Sequence, residues 1–243
     1  MRRSGHFLRR STVISLLASA LAGSLASAAN GVSTTPTTQS PTSFTIAVGQ
    51  RFVTAVSTSS TDHSLRQETQ AGPNFGIQRY AYTCRGAVQH DVTELIDDTI
   101  YEKGSAVDLE CLLGISSREA QPFSNRWFKI LRNNPAFHCN AFGITISSFM
   151  SQFIIENPRA ATKTWDVPNL RALEGFTTPS KCTPSVREVV YINEAKDLPA
   201  SLVQFGFGSG DYTTTFAGWG HRFRVEIPVT NIILPRLSNG IRI

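Results

Sequence analysis

Hydrophobic and polar residues alternate along 77–84 (IQRYAYTC), the pattern of a half-buried strand. Two shorter runs, 44–48 and 51–57, flank Gly49-Gln50 and predict a hairpin, and the polar stretch 58–74 then reads as a loop. After Gly86 the period changes. Asp91 stands where a helix cap would, Glu94 follows three residues later as in a capping box, and Val92, Leu95, Ile96 and Ile100 fall at helical spacing. Helices are also predicted over 106–113 and over 124–132, where Trp127, Phe128 and Leu131 share a face. A further helix over 147–156 would bury Met150, Phe153 and Ile154. Strands are predicted over 142–146, 163–167, 186–193, 202–205, 221–227 and 231–234. Helices thus gather in the middle of the chain and strands at both ends. That is the order of an α+β domain with a mixed or antiparallel sheet and central helices.

The first residues change where this domain is expected to work. Arg2, Arg3, Arg9 and Arg10 precede an apolar run over 13–25, and Ala26-Ser27-Ala28 has the small-x-small form of a cleavage site. The run is shorter than the roughly 20 apolar residues of a membrane span, so residues 1–28 read as a signal peptide, with no membrane span elsewhere. Residues 29–43 are Ser/Thr/Pro-rich and uncharged, the composition of an extended tail. The remaining 44–243 fit a single domain. The whole chain carries 23 basic and 18 acidic residues; four arginines and no acid leave with the signal, so the mature chain holds 19 against 18. It shows no basic run, which argues against nucleic acid as a partner.

Cys84, Cys111, Cys139 and Cys182 are even in number and all belong to the mature chain. In an oxidising compartment they predict two disulfides, with three pairings open. They are too widely spaced for a structural zinc site, and no metal is expected. Dinucleotide, P-loop, zincin and nucleophile-elbow signatures are absent. The glycine-rich run 206–210 follows a strand but opens no helix, so it reads as a loop rather than a phosphate cradle.

One constellation of polar residues remains. Tyr80, Tyr82 and Arg85 end a strand; Thr145, Ser147 and Ser148 sit at a strand–helix junction; Glu226 lies within 221–227 (HRFRVEI). In that order they resemble the ADP-ribosylating toxin A chains of the cholera and pertussis type. The resemblance implies NAD as the substrate, bound by Arg85, Tyr82 and Thr145, with Ser147 bracing the site. Glu226 would stabilise the oxocarbenium-like centre as nicotinamide leaves, and the target would be a host or competitor protein. The same residues also have plain structural readings. Arg85 can be an edge charge beside a cysteine, Thr145 and Ser147 a helix cap, and Glu226 a balance for Arg222 and Arg224. The alternative function is a non-catalytic secreted binding module, taking a carbohydrate or a surface protein through the loop around Trp219.

Overall fold

The computed structural model describes residues 42–134, 137, 143–161, 168–179, 184–207 and 210–235. The leader 1–28, the strand expected over 163–167, residue 142, and Cys139 and Cys182 lie outside the described residues; the rest of the strand expected over 142–146 is a turn and the start of a helix.

The α+β expectation with central helices is corrected to a protein dominated by one sheet. Eleven strands are described: β1 Val53–Ser59, β2 Arg66–Ala71, β3 Phe75–Cys84, β4 Ala87–Ile96, β5 Thr99–Lys103, β6 Phe128–Ile130, β7 Ile155–Ala160, β8 Leu170–Thr177, β9 Arg187–Asn193, β10 Leu198–Phe207 and β11 Gly210–Ala217. They pair in the order β6-β5-β4-β3-β2-β1-β11-β10-β9-β8-β7, every pair antiparallel. Two meanders therefore meet at the centre, where β1 and β11 join the first strand to the last. The helices α1 Thr42–Gly49, α2 Ala106–Leu113, α3 Ser117–Ala120 and α4 Ile146–Ser151 are short.

The helix expected from Asp91 is the largest local correction. Arg85 (φ 52°) and Gly86 (φ 79°) are both left-handed and form a two-residue hairpin closed by Cys84 opposite Ala87, the geometry of a type I′ turn. That turn sends the chain straight back as β4. Along β4 the inward residues Asp91 and Thr93 are polar while the outward Val88 and Val92 are apolar. The usual period-2 signal is thus inverted, and helical spacing filled the gap. The helix expected over 124–132 is β6, with Phe128 and Ile130 both buried on one face. Residues 44–48, expected as a strand, lie in α1, and β2 emerges from the expected loop 58–74. The helix at 106–113 and strands in 77–84 and 186–193 occur as expected.

These four helices cover one face of the sheet, the inner face. Under α1 and α4, Val53, Ala55, Ala71, Val190, Ile192, Leu202 and Phe216 meet Phe149, Met150 and Phe153. Under α2 and α3, Leu95, Ile100, Phe128 and Ile130 meet Leu109, Leu113 and Ala120. Between these two cores, Cys84 of β3 is disulfide-bonded to Cys111 of α2. A polar rung also crosses the inner face, running Thr214, Ser57, Gln67, Tyr80, Asp91 on five consecutive strands.

Both sheet edges are blunted. Strand β7 carries Pro158 and a register shift between Glu156 and Arg159, and Ile233 forms a parallel bridge on the free side of β6. Such devices discourage edge-to-edge pairing.

Candidate functional site

After β11 the chain does not form the strand expected over 221–227. It runs as an irregular strap, 218–235, which passes over the outer face and ends beyond the β6 edge. Gly218 (φ 60°) and Gly220 (φ 76°) start it: the His221 N–H donates to the Gly218 carbonyl at 2.9 Å, and the Gly220 N–H to the Phe52 carbonyl at 2.9 Å. Trp219 anchors this turn, stacked on Phe216 with its indole N–H donating to the Pro199 carbonyl at 3.1 Å. At the far end the Thr230 hydroxyl donates to the Trp127 carbonyl at 2.6 Å, and Lys129 exchanges backbone bonds with Ile232 and Leu234.

The pinned strap presses Phe223 against Phe52, the residue before β1, and Phe75, the first residue of β3. The three rings lie 5.3–6.1 Å apart, two of the contacts edge-on, a preferred aromatic arrangement. Around this trio opens a cleft of about 600 Å³ lined by Gln50, Arg51, Phe52, Phe75, Gly220, Arg222, Phe223 and Arg224. Three guanidinium groups stand at it, and no carboxylate is in the lining. Among the described residues none of the three arginines is ion-paired. Arg51 holds φ 67° just after α1, a left-handed backbone that disfavours any residue with a Cβ by about 1–2 kcal/mol. Its placement beside a helix C-terminus offsets part of that cost.

The side chains of the cleft are suited to recognising an anion. Guanidinium groups remain charged and donate up to five N–H bonds each. The lining holds no thiol, hydroxyl, imidazole or carboxylate to act as nucleophile or general acid–base. The lining could accept an anion at the arginines and an apolar or aromatic group against the phenyl rings.

The residues singled out in the sequence are distributed elsewhere. Arg85 is in the β3–β4 hairpin and ion-pairs with Glu110 of α2 on the inner side. Tyr82, also inward, is buried and donates to the Asp108 carbonyl at 3.4 Å. Thr145 N-caps α4, its hydroxyl accepting from the Ser148 N–H at 3.2 Å, while Ser147 is exposed on the first turn. Glu226 is exposed on the strap, close enough to Glu94 on the outer face to act on its carboxyl, as Arg79 also does. Arg79 is six residues from Arg85 along β3, about 20 Å. Glu226 and Arg85 therefore lie on opposite faces, and the structure does not gather Arg85, Ser147 and Glu226 into one cleft.

A second cluster was missed because Asp91 read as a helix cap and not as an inward strand residue. Asp91 and Glu102 are buried on the inner face beside Asp108, itself buried in α2. Asp91 and Glu102 share a hydrogen bond, and burial raises both carboxyls well above their usual range. The Thr93 hydroxyl lies 3.1 Å from Glu102 Oε2, and Asp108 closes the α2 capping box by accepting from the Ser105 N–H at 2.8 Å. Among the described residues no group of side chains has the arrangement of a metal site.

No family model and no curated protein matches the chain. Among solved structures it is similar to the lipoprotein LppX of Mycobacterium tuberculosis, at 11% identity and a TM-score of 0.42, covering 75% of this chain and 98% of that one. A likeness of that degree carries no argument here. The resemblance to ADP-ribosylating toxin A chains, and the toxin activity drawn from it, are corrected by the scattered placement of Arg85, Ser147 and Glu226 on one antiparallel sheet.

Proposed function

We propose that this is an exported, non-catalytic binding protein whose Arg51/Arg222/Arg224 cleft captures an anionic ligand with an apolar or aromatic part. The carrying observation is a set of three guanidinium groups, without an ion pair among the described residues, around a phenylalanine trio, with no acid or nucleophile in the lining. Export is supported by the leader pattern of residues 1–28 and by the Cys84–Cys111 disulfide, which belongs to an oxidising compartment. The loop around Trp219 gives a sugar platform little support, since the indole is half-buried on Phe216 and its N–H is already bonded.

The test is calorimetric titration with phenyl phosphate, with neutral phenyl glucoside as the control. Phenyl phosphate should bind, and Arg222→Gln with Arg224→Gln should weaken it more than tenfold. Equal affinity for the two probes, or an affinity untouched by the double variant, removes the cleft from the function.

A further inference from the structure

We propose that the strap and cleft together form a docking face for an anionic lipid surface, with the arginines at headgroup level and Ile227 and Val229 inserted beyond them. This rests on the reading of the cleft as an anion site and names the source of the anion.

Exposure along the strap carries the argument. Of the seven large hydrophobic side chains exposed among the described residues, three fall within 227–233. Ile227 is 64% exposed, Val229 fully exposed and Ile233 49% exposed. Backbone bonds among the described residues hold the strap at Gly220 and His221 and again at Ile232 and Leu234, with none between. The apolar residues are thus presented on a segment fixed at both ends. Large apolar side chains exposed close together on such a segment mark an interaction surface. Arg222 and Arg224 precede it on the same segment, and Arg51 faces them across the cleft. From Arg222 to Val229 the extended chain spans about 23 Å, so cationic and apolar groups are offered in sequence.

That combination matches an anionic bilayer interface. The arginines gain from the negative surface potential, and the aliphatic side chains gain by leaving water for the acyl boundary. The phenyl trio supplies an apolar floor against which the upper part of a lipid chain can lie. Glu226, exposed between Arg224 and Ile227, opposes the attraction with one negative charge.

The experiment is co-sedimentation of the mature protein with vesicles of phosphatidylcholine, with and without phosphatidylglycerol, at low and high salt. Binding is expected on the anionic vesicles and should fall as salt rises. Arg222→Gln with Arg224→Gln should lower the partition coefficient about thirtyfold, and Glu226→Gln should raise it about fivefold. Ile227→Ser with Val229→Ser should lower it about tenfold; both residues are exposed, so the fold is retained. Equal binding to the two vesicle types, or an unchanged partition of the serine variant, overturns the docking face. Phenyl phosphate bound in the cleft with no vesicle binding overturns the lipid surface and leaves the anion site standing. Loss of both overturns both.

Discussion

The Gly220 N–H donates to the Phe52 carbonyl at 2.9 Å, and this bond places Phe223 in the gap between Phe52 and Phe75. Phe223→Ala should therefore act on stability and on binding together. Removing the ring loses two edge-on contacts and part of a half-buried hydrophobic surface, about 1–3 kcal/mol. Urea unfolding measures the first effect and phenyl phosphate titration the second. A variant that loses stability but keeps full affinity would show that the trio supports the strap without contacting the ligand.

Arg51 gives the opposite combination. Its left-handed backbone suits glycine, and Arg51→Gly should stabilise the protein by about 1 kcal/mol while weakening anion capture about tenfold. Unfolding and titration on the same variant separate the two terms. A destabilised Arg51→Gly would mean that the guanidinium is held by contacts within the protein.

The Cys84–Cys111 bridge ties the end of β3 to α2 across 27 residues of sequence. Closing a loop of that size stabilises by about 3–4 kcal/mol in the chain-entropy account. Cys84→Ala with Cys111→Ala should lose roughly that amount in urea unfolding. A loss below about 1 kcal/mol would show that α2 is held by Leu109 and Leu113 alone.

What the sequence disclosed depended on which face of each strand was apolar. β9 is buried on both faces and β3 alternates, so both were legible. β4 and β5 place Asp91, Thr93 and Glu102 inward, and a polar interior gives no hydrophobic period to read. Arg85-Gly86 was the available signal, since two consecutive left-handed residues make a hairpin, but glycine after a strand also fits a helix start. The cleft was less legible still. Arg51 and Phe52, Phe75, and Arg222 to Arg224 come from three segments far apart in the chain, and their meeting depends on β1 pairing with β11. The alternation within 222–226 was visible, yet it described a strap on the outer face rather than a strand in the sheet.

Glu188 of β9 makes the protein's stability depend on pH in a direction the interior dictates. Its side chain is wholly buried on the inner face, where it accepts a hydrogen bond from the Gln204 amide at 3.0 Å and its other oxygen has no partner among the described residues. Burial pushes the carboxyl up from its ordinary 4.5 to about 8, and the Gln204 bond only partly opposes this. The folded state therefore favours the protonated acid. The associated stability is fully present below pH 4.5, the unfolded value, and is lost as pH rises from there to about 8. The raised carboxyls of Asp91 and Glu102 act in the same direction. Wild-type protein should unfold more readily in urea at pH 8.5 than at pH 5. Glu188→Gln, which keeps the shape and removes the titration, should recover up to a few kcal/mol at pH 8.5 and gain little at pH 5. A variant equally displaced from wild type at both pH values would show that Glu188 stays ionised in the fold, with water or a cation at its open oxygen.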